Sequence, residues 1–350
     1  MYDWSNQKLF KIMVKSYKKL RVLGICAGQG ALLFPWRNQL LGNIEPRSVF
    51  HTPNEEQWKL NFGETPFLRN ELPEKWRPDI ILSSPDCGAS STMRLSKAKE
   101  LGNPEKNESI KLVLEGIIMY QPKVFMIENV PRLMNLVPES FWKEVFPNYK
   151  LLFKVNSVSD FGNSQVSRKR LIIIGIKKHA KSYLNLFDVI FSVNTPKCSR
   201  FLLEQPNRQR NIPLDKTLAM YDYRKLPKKK NLTVKEIQYL WTHDFKDEKK
   251  WPIKTAKMQT LPGVYKLDPD KPPLTLRPAD RQFRPDGLPL GVQDYKNIQG
   301  FPDKFKIYLP EEDYLYWLNK SRYTIAKGAV YEVGIWFKRC IKQLENSSKS

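Results

Sequence analysis

With 350 residues, 41% of them hydrophobic, the chain is long enough for one sizeable core and a smaller second unit. It carries 59 Lys+Arg against 36 Asp+Glu, and the net charge of +23 attracts polyanions, which makes nucleic acid the expected partner and salt-sensitive binding the expected behaviour. No apolar run reaches the roughly 18 residues a membrane span needs, and the first stretch, MYDWSNQKLFKIMVKSYKKL, lacks the apolar segment of a secretory signal. Cys26, Cys87, Cys198 and Cys340 lie far apart with no CxxC pair, so neither a zinc site nor a disulfide framework is expected, and a cytoplasmic location fits.

Taken in order, residues 5–18 have helical spacing and residues 20–26 (LRVLGIC) read as a buried first strand. The strand runs into AGQGALLF, a Gly-rich turn whose backbone N–H groups can approach a nucleotide-like ligand, although a tight turn needs glycine on steric grounds alone. A second strand is expected at 47–50 and a helix at 54–62. Residues 79–82 form the next strand, which ends in SSPDCGASS and so presents Cys87 where open α/β sheets bind their ligands. By itself such a cysteine is equally a small buried residue. The polar stretch 89–107 reads as a lid, residues 109–120 as a helix, and PKVFMIENVP as a strand ending at Glu128 and Asn129. Strands at 151–158 and 170–176 follow, the latter entered through QVSRKR. After about residue 185 the chain becomes rich in proline and in basic runs such as RKLPKKK, with one capped helix where Thr233 and Glu236 precede IQYLW. Regular patterning returns at 292–299 and in a last helix, 329–344. The βα alternation predicts an α/β fold: a doubly wound, mostly parallel sheet with one or two antiparallel edge strands.

Six blocks in this order resemble the cytosine-C5 DNA methyltransferases. GICAGQGA is similar to the family's DLFxGxGG, Pro85-Asp86-Cys87-Gly88 to its PPCQ, and Glu128-Asn129-Val130 is its ENV. DFGNSQVSRKRLIIIG resembles DYGVPQxRxRxxxIG, which sets Arg168 and Arg170 on the family arginines. LGVQDYKNIQGFPDKF and YTIAKGAV resemble the two closing blocks, LTxRExARLQGFPxxF and YKQIGNAV. The resemblance implies a Rossmann-like S-adenosylmethionine-dependent methyltransferase fold. Residues 1–189 would form the catalytic and cofactor-binding domain, 190–285 a smaller, loop-rich target-recognition domain, and 286–350 a segment completing the catalytic domain.

It also implies roles. Cys87 would add to carbon 6 of a flipped cytosine and Glu128 would bond N3, with Arg168 and Arg170 assisting unless they form a solvated basic turn. Carbon 5 is a poor nucleophile until a thiolate adds to its neighbour, so these residue types suit the chemistry. S-adenosylmethionine would meet Cys26, Ala27, Gly28, Gln29, Gly30, Phe50, His51, Pro85, Lys327, Gly328 and Ala329, with no metal. Double-stranded DNA would meet Ser90, Ser91, Arg94 and Asn129, the last of which could instead brace a loop, and the enzyme is expected to act as a monomer.

The cofactor region departs from the family pattern. Gly24 stands for the opening aspartate, residues 49–51 show no acid after the expected second strand, residues 68–70 none before the thiol strand, and Lys327-Gly328 replaces Gly-Asn. Asp86 and Gly88 flank Cys87 where Pro and Gln are usual, QVSRKR carries one extra residue, and Gln293-Asp294 replaces Arg-Glu. A pocket made more positive in this way leaves three readings: ordinary S-adenosylmethionine, a more anionic derivative such as carboxy-S-adenosylmethionine, and a non-catalytic DNA-binding homologue. An RNA C5 methyltransferase would share Cys87 and Glu128.

Overall fold

Runs of β-branched and apolar residues such as VLGI, IILS, VFMI and RLIIIGI favour strands covered on both faces, as in parallel sheets. In the computed structural model, which describes residues 20–46, 53–86, 107–180, 183, 264–266, 273, 275, 276, 281–283, 292–308, 321 and 324–347, these runs build a seven-stranded sheet. Its strands are β1 (Val22–Ile25), β2 (Leu40–Glu45), β3 (Phe67–Arg69), β4 (Ile80–Ser83), β5 (Val124–Asn129), β6 (Tyr149–Ser157) and β7 (Lys169–Lys177). The order is β3-β2-β1-β4-β5-β7-β6. The first five are parallel, and β7 is antiparallel to both β5 and β6. The expected doubly wound sheet is therefore present, and its order reverses between β1 and β4, which opens a crevice at their carboxyl ends.

Alternate side chains enter two cores. Val22, Ile80, Leu82, Val124, Met126, Ile172 and Ile174 face one, and Leu23, Ile25, Ile81, Phe125, Ile127 and Ile173 face the other. Each fully buried side chain of this size contributes roughly 1.5–3 kcal/mol relative to exposure. The first core also takes in Trp58 and Phe62 of α1 (Pro53–Phe62) and Val292, Tyr295 and Ile298 of α3 (Val292–Ile298). Trp336, Phe337 and Ile341 of α4 (Tyr331–Ser347) complete it. The second is covered by α2 (Glu108–Tyr120) through Ile110, Val113 and Ile117. Asn107 caps α2, its side chain accepting from Ser109 N and Ile110 N, so the helix starts where the polar stretch ends.

The second described strand is Leu40–Glu45, which was not anticipated; residues 47–50, where a strand was expected, like the expected helix at 5–18, the lid up to residue 106, and Thr233 and Glu236, lie outside those described. The short β3 was not anticipated either. Between 190 and 285 the described residues include the parallel strands β8 (Val264–Lys266) and β9 (Arg281–Phe283).

A buried polar knot brings the distant C-terminal residues to the sheet. Asn163 Nδ2 donates to Ile298 O and to Glu332 Oε2, both at 3.0 Å. Gln165 Nε2 donates to Gln299 Oε1 at 2.9 Å, and its own Oε1 accepts from Leu276 N at 2.9 Å. The guanidinium of Arg168, 1% exposed, donates to the carbonyls of Leu276 (3.1 Å), Ala326 (3.2 Å) and Gly328 (2.9 Å). Glu332 occupies the space that a side chain at Gly300 (φ +73°) would fill, and burial pushes its carboxyl up to about 7. A carboxyl with a raised folded value stabilises fully below the ordinary carboxylate range and loses that contribution as pH rises through about 7. The protein should thus lose thermal stability between about pH 5 and pH 8. Glu332→Gln should flatten that dependence, which melting curves across the window would show; an unchanged slope would rule Glu332 out as its source.

Candidate active site

The crevice at the β1–β4 reversal is lined by Cys26 to Gln29 after β1, Glu45 ending β2, Ser84 to Asp86 after β4, Glu128 to Val130 at the end of β5, and residues 324 and 327–329 before α4. Ser109 of α2 and Arg170 of β7 complete the wall. β7 runs antiparallel to β5, with Leu171 opposite Asn129, and this brings its start to the carboxyl end of β5.

On the cofactor side, Gly28 has φ +58°, and a side chain there would meet nothing within 4 Å, so the turn opens onto free space. Gly30 (φ +83°) does not line the cleft; a side chain there would strike the Phe62 ring at 2.5 Å, and its smallness lets the turn pack on α1. An acid that does line the cleft at the end of β2 is Glu45. It lies 17 residues beyond Gly28, whose N–H it accepts at 2.7 Å, and Asn43 Nδ2 donates to the same oxygen at 2.8 Å. Burial raises its carboxyl above the usual range, while Asn43 and Gly28 oppose the rise. Gly24 also gains a reason: a side chain there would come within 2.6 Å of Asn43 Oδ1, so the absent aspartate leaves room for the amide that holds Glu45. Beside the end of β3 the carboxylate is Glu108 of α2, which accepts from Asn70 at 2.8 Å. Gln29 is 6% exposed and its Oε1 has no hydrogen-bond partner among the described residues.

On the reactive side, Glu128 is 3% exposed. Its Oε1 lies 2.9 Å from Arg170 Nε, and its Oε2 accepts from Ser84 Oγ at 2.6 Å. Asn129 bonds only backbone in the bonds described, donating to Pro85 O at 2.9 Å and accepting from Val130 N at 2.8 Å. It braces the loop after β4, the alternative noted above for this residue. Arg168 is absent from the cleft wall, and its bonds hold the carbonyls of the C-terminal segment, which corrects the expectation that it assists at the base. Cys26 lines the cleft with φ +56°, its Sγ donating to Ser109 O at 3.4 Å. Burial, and then Glu45, push its thiol well above the ordinary range, so it is held protonated and unreactive.

Two departures from the family pattern meet across the mouth. Lys327 Nζ lies 3.8 Å from Asp86 Oδ1, a half-exposed ion pair linking the loop that leads to Cys87 with the segment before α4. Of the anticipated residues, the structure brings together Cys26, Ala27, Gly28, Gln29, Pro85, Glu128, Asn129, Arg170, Lys327, Gly328 and Ala329. Cys87, Phe50, His51, Ser90, Ser91 and Arg94 lie outside the described residues. Glu45, Ser84, Asp86, Ser109, Val130 and Thr324 were not anticipated in the wall. A signal existed for Glu45, an acid closing an apolar run within about 20 residues of a Gly-rich turn.

Among known proteins, the chain is 22% identical over 251 residues to the type II methyltransferase M.Bpa9945I of Bacillus paralicheniformis, covering 66% of this chain and 53% of that protein, so it spans about half the relative's length. Its fold is shared with a candidate DNA modification methyltransferase encoded within a prophage of E. coli (TM-score 0.59, 18% identity, 93% of this chain and 99% of that one). It is shared too with the Dnmt2 methyltransferase of S. pombe (TM-score 0.52, 12% identity, 95% and 100%) and with the methyltransferase EhMeth of Entamoeba histolytica (TM-score 0.54, 14% identity, 93% and 98%). The family model for C-5 cytosine-specific DNA methylases matches residues 49–316, well over half of the chain and including the part of the cleft formed by Ser84 to Asp86, Glu128 to Val130 and Arg170, and the chain belongs to that family.

Proposed function

We propose that the protein transfers a methyl group from S-adenosylmethionine to carbon 5 of a cytosine in duplex DNA. The observation that carries this reading is the placement of Glu128, buried and held by Ser84 and Arg170, in the same crevice as the Gly28 turn and Glu45. Cys87 follows Asp86 directly in sequence, and Asp86 lines that crevice.

The residues present suit the cofactor. A buried carboxylate near the end of β2 can receive ribose hydroxyls, the turn at Gly28 leaves space for close approach, and the free Oε1 of Gln29 offers an acceptor inside the cleft. When bound, S-adenosylmethionine supplies an electrophilic methyl group on a sulfonium. Glu45, Gly28 and Gln29 would hold it, with Lys327 to Ala329 closing the opposite side. The Cys87 thiolate adds to carbon 6, and Glu128 gives a proton to N3 as the S–C6 bond forms. Glu128 recovers that proton once carbon 5 is substituted; a water molecule then takes the carbon 5 proton, the C5=C6 bond re-forms, and the S–C6 bond breaks to release the thiolate. Arg170 steadies the ionised Glu128 between these steps, while Arg168 positions residues 326–328.

The target base must leave the duplex to reach such a crevice, so residues 89–107, with Ser90, Ser91 and Arg94, would close over it. Residues 190–285 would read the flanking sequence in the major groove, and the net charge of +23 favours the phosphate backbone. Ordinary S-adenosylmethionine suits the cleft better than its carboxy derivative. A second carboxylate would need a cation of its own, whereas Lys327 already faces Asp86 and Glu45 adds a further acid.

Nucleoside mass spectrometry after incubating the protein with unmodified mixed-sequence duplex DNA, or with tRNA, and each cofactor should detect 5-methylcytosine in DNA with S-adenosylmethionine. A 5-carboxymethyl product would favour the derivative, modified tRNA would move the substrate to RNA, and no product with any pairing would reject the enzyme reading. Glu45→Gln should raise the KM for S-adenosylmethionine by roughly 10- to 100-fold with little change in kcat, the effect of weakening a hydrogen bond to a charged group. An unchanged KM would remove Glu45 from the cofactor site.

A further inference from the structure

We propose that Ser84 is a positioning residue that tunes the proton affinity of Glu128 and ties that carboxyl to the loop leading to Cys87. The proposal rests on the methyltransferase reading, in which Glu128 gives a proton to N3 and takes it back.

The geometry follows from the sheet. Ser83 of β4 is in register with Ile127 of β5, so the next pair along these parallel strands is Ser84 and Glu128. Side chains at paired positions point to the same face, and here they meet: Ser84 Oγ donates to Glu128 Oε2 at 2.6 Å. The following pair also meets, through Asn129 Nδ2 and Pro85 O at 2.9 Å. The backbone N–H of Ser84 is held from the other side by Cys26 O at 3.3 Å, at the start of the Gly-rich turn. Two successive residues of β5 therefore grip two successive residues of the loop that runs through Asp86 to Cys87. Ser83 offers the contrast: its hydroxyl is buried with no partner among the described residues, so a serine at this strand end need not bond a carboxylate.

The chemical consequence follows from the direction of the bond. A hydroxyl that donates to Oε2 favours the ionised carboxylate, the form Glu128 takes after protonating N3. Arg170, in contact with Oε1, acts in the same sense. The other ionisable groups of the cleft wall are Glu45, Asp86, Lys327 and the Cys26 thiol. Of the groups in contact with Glu128, Ser84 is the uncharged one, and it can turn its hydroxyl to accept when the carboxyl is protonated. It would thus follow Glu128 through both proton states while a guanidinium serves only one.

The test compares wild type with Ser84→Ala, Ser84→Thr and Ser83→Ala. Turnover is read across pH with unmodified mixed-sequence duplex DNA and tritiated S-adenosylmethionine, and the Glu128 carboxyl is titrated by infrared difference spectroscopy with Glu128→Gln to assign the band. Ser84→Ala should lower kcat about tenfold with KM values little changed, and move both the alkaline limb and the carboxyl titration upward. Ser84→Thr should restore both, and Ser83→Ala should match wild type. A carboxyl midpoint that stays put in Ser84→Ala, or a loss of turnover that Ser84→Thr does not restore, would overturn the proposal. Absence of transfer by wild type would reject the methyltransferase reading, and the infrared titration would still decide whether Ser84 governs Glu128.

Discussion

A buried guanidinium holds the candidate site together. Arg168 spends its donors on three backbone carbonyls, two of which belong to the segment just before α4. Without that segment the crevice at the β1–β4 reversal would lack the wall formed by residues 327–329. Loops more than 150 residues apart are joined here by side-chain-to-backbone bonds (Arg168 to Gly328 spans 160), with Asn163 and Gln165 making the neighbouring links. A buried charge is costly unless its donors are met, and the carbonyl cluster meets those of the two terminal nitrogens. The second arginine of QVSRKR, two residues on, points to the opposite use: Arg170 faces Glu128 inside the cleft.

The same economy of parts governs the cleft's charge. Among the described residues three carboxylates line it, Glu45, Asp86 and Glu128, against two cations, Arg170 and Lys327. Each acid has its own environment. Glu128 meets a cation and a hydroxyl, Asp86 meets a cation near solvent, and Glu45 is buried against neutral donors. Burial raises the carboxyl of Glu45, although the donors Asn43 and Gly28 and, more weakly, the charge of Arg69 oppose the rise. Among the described residues the cleft is not the positive pocket that its composition suggested.

Much of this was legible in the sequence. Apolar runs ending in small or polar residues located β1, β4, β5 and β7, and the blocks that resemble the methyltransferase family gathered eleven of the anticipated residues into one wall. β2 escaped because its apolar run is broken by Gly42 and Asn43. Gly42 sits where a side chain would come within 2.6 Å of Trp76 and 2.8 Å of Pro66 O, and Asn43 serves Glu45. Tertiary crowding and a polar task thus overwrote the local strand signal and hid the acid that closes the strand. The role of Arg168 was hidden for a different reason, since spacing does not distinguish an arginine that bonds carbonyls from one that faces a ligand. Ser84 was illegible because its meaning arises from the register of two strands more than 40 residues apart (Ser84 to Glu128 spans 44).

In the mechanism proposed above, Cys87 becomes covalently attached to carbon 6 of a cytosine while Glu128 protonates the ring. Duplex DNA containing 5-fluorocytosine blocks the final elimination, because carbon 5 carries no proton to lose. Incubation of wild-type protein with such DNA and S-adenosylmethionine should yield a denaturation-resistant protein–DNA adduct whose mass maps to the peptide containing Cys87, and Cys87→Ser should bind the same DNA without forming it. A wild-type protein that methylates ordinary DNA yet forms no adduct, or an adduct that persists in Cys87→Ser, would contradict the account.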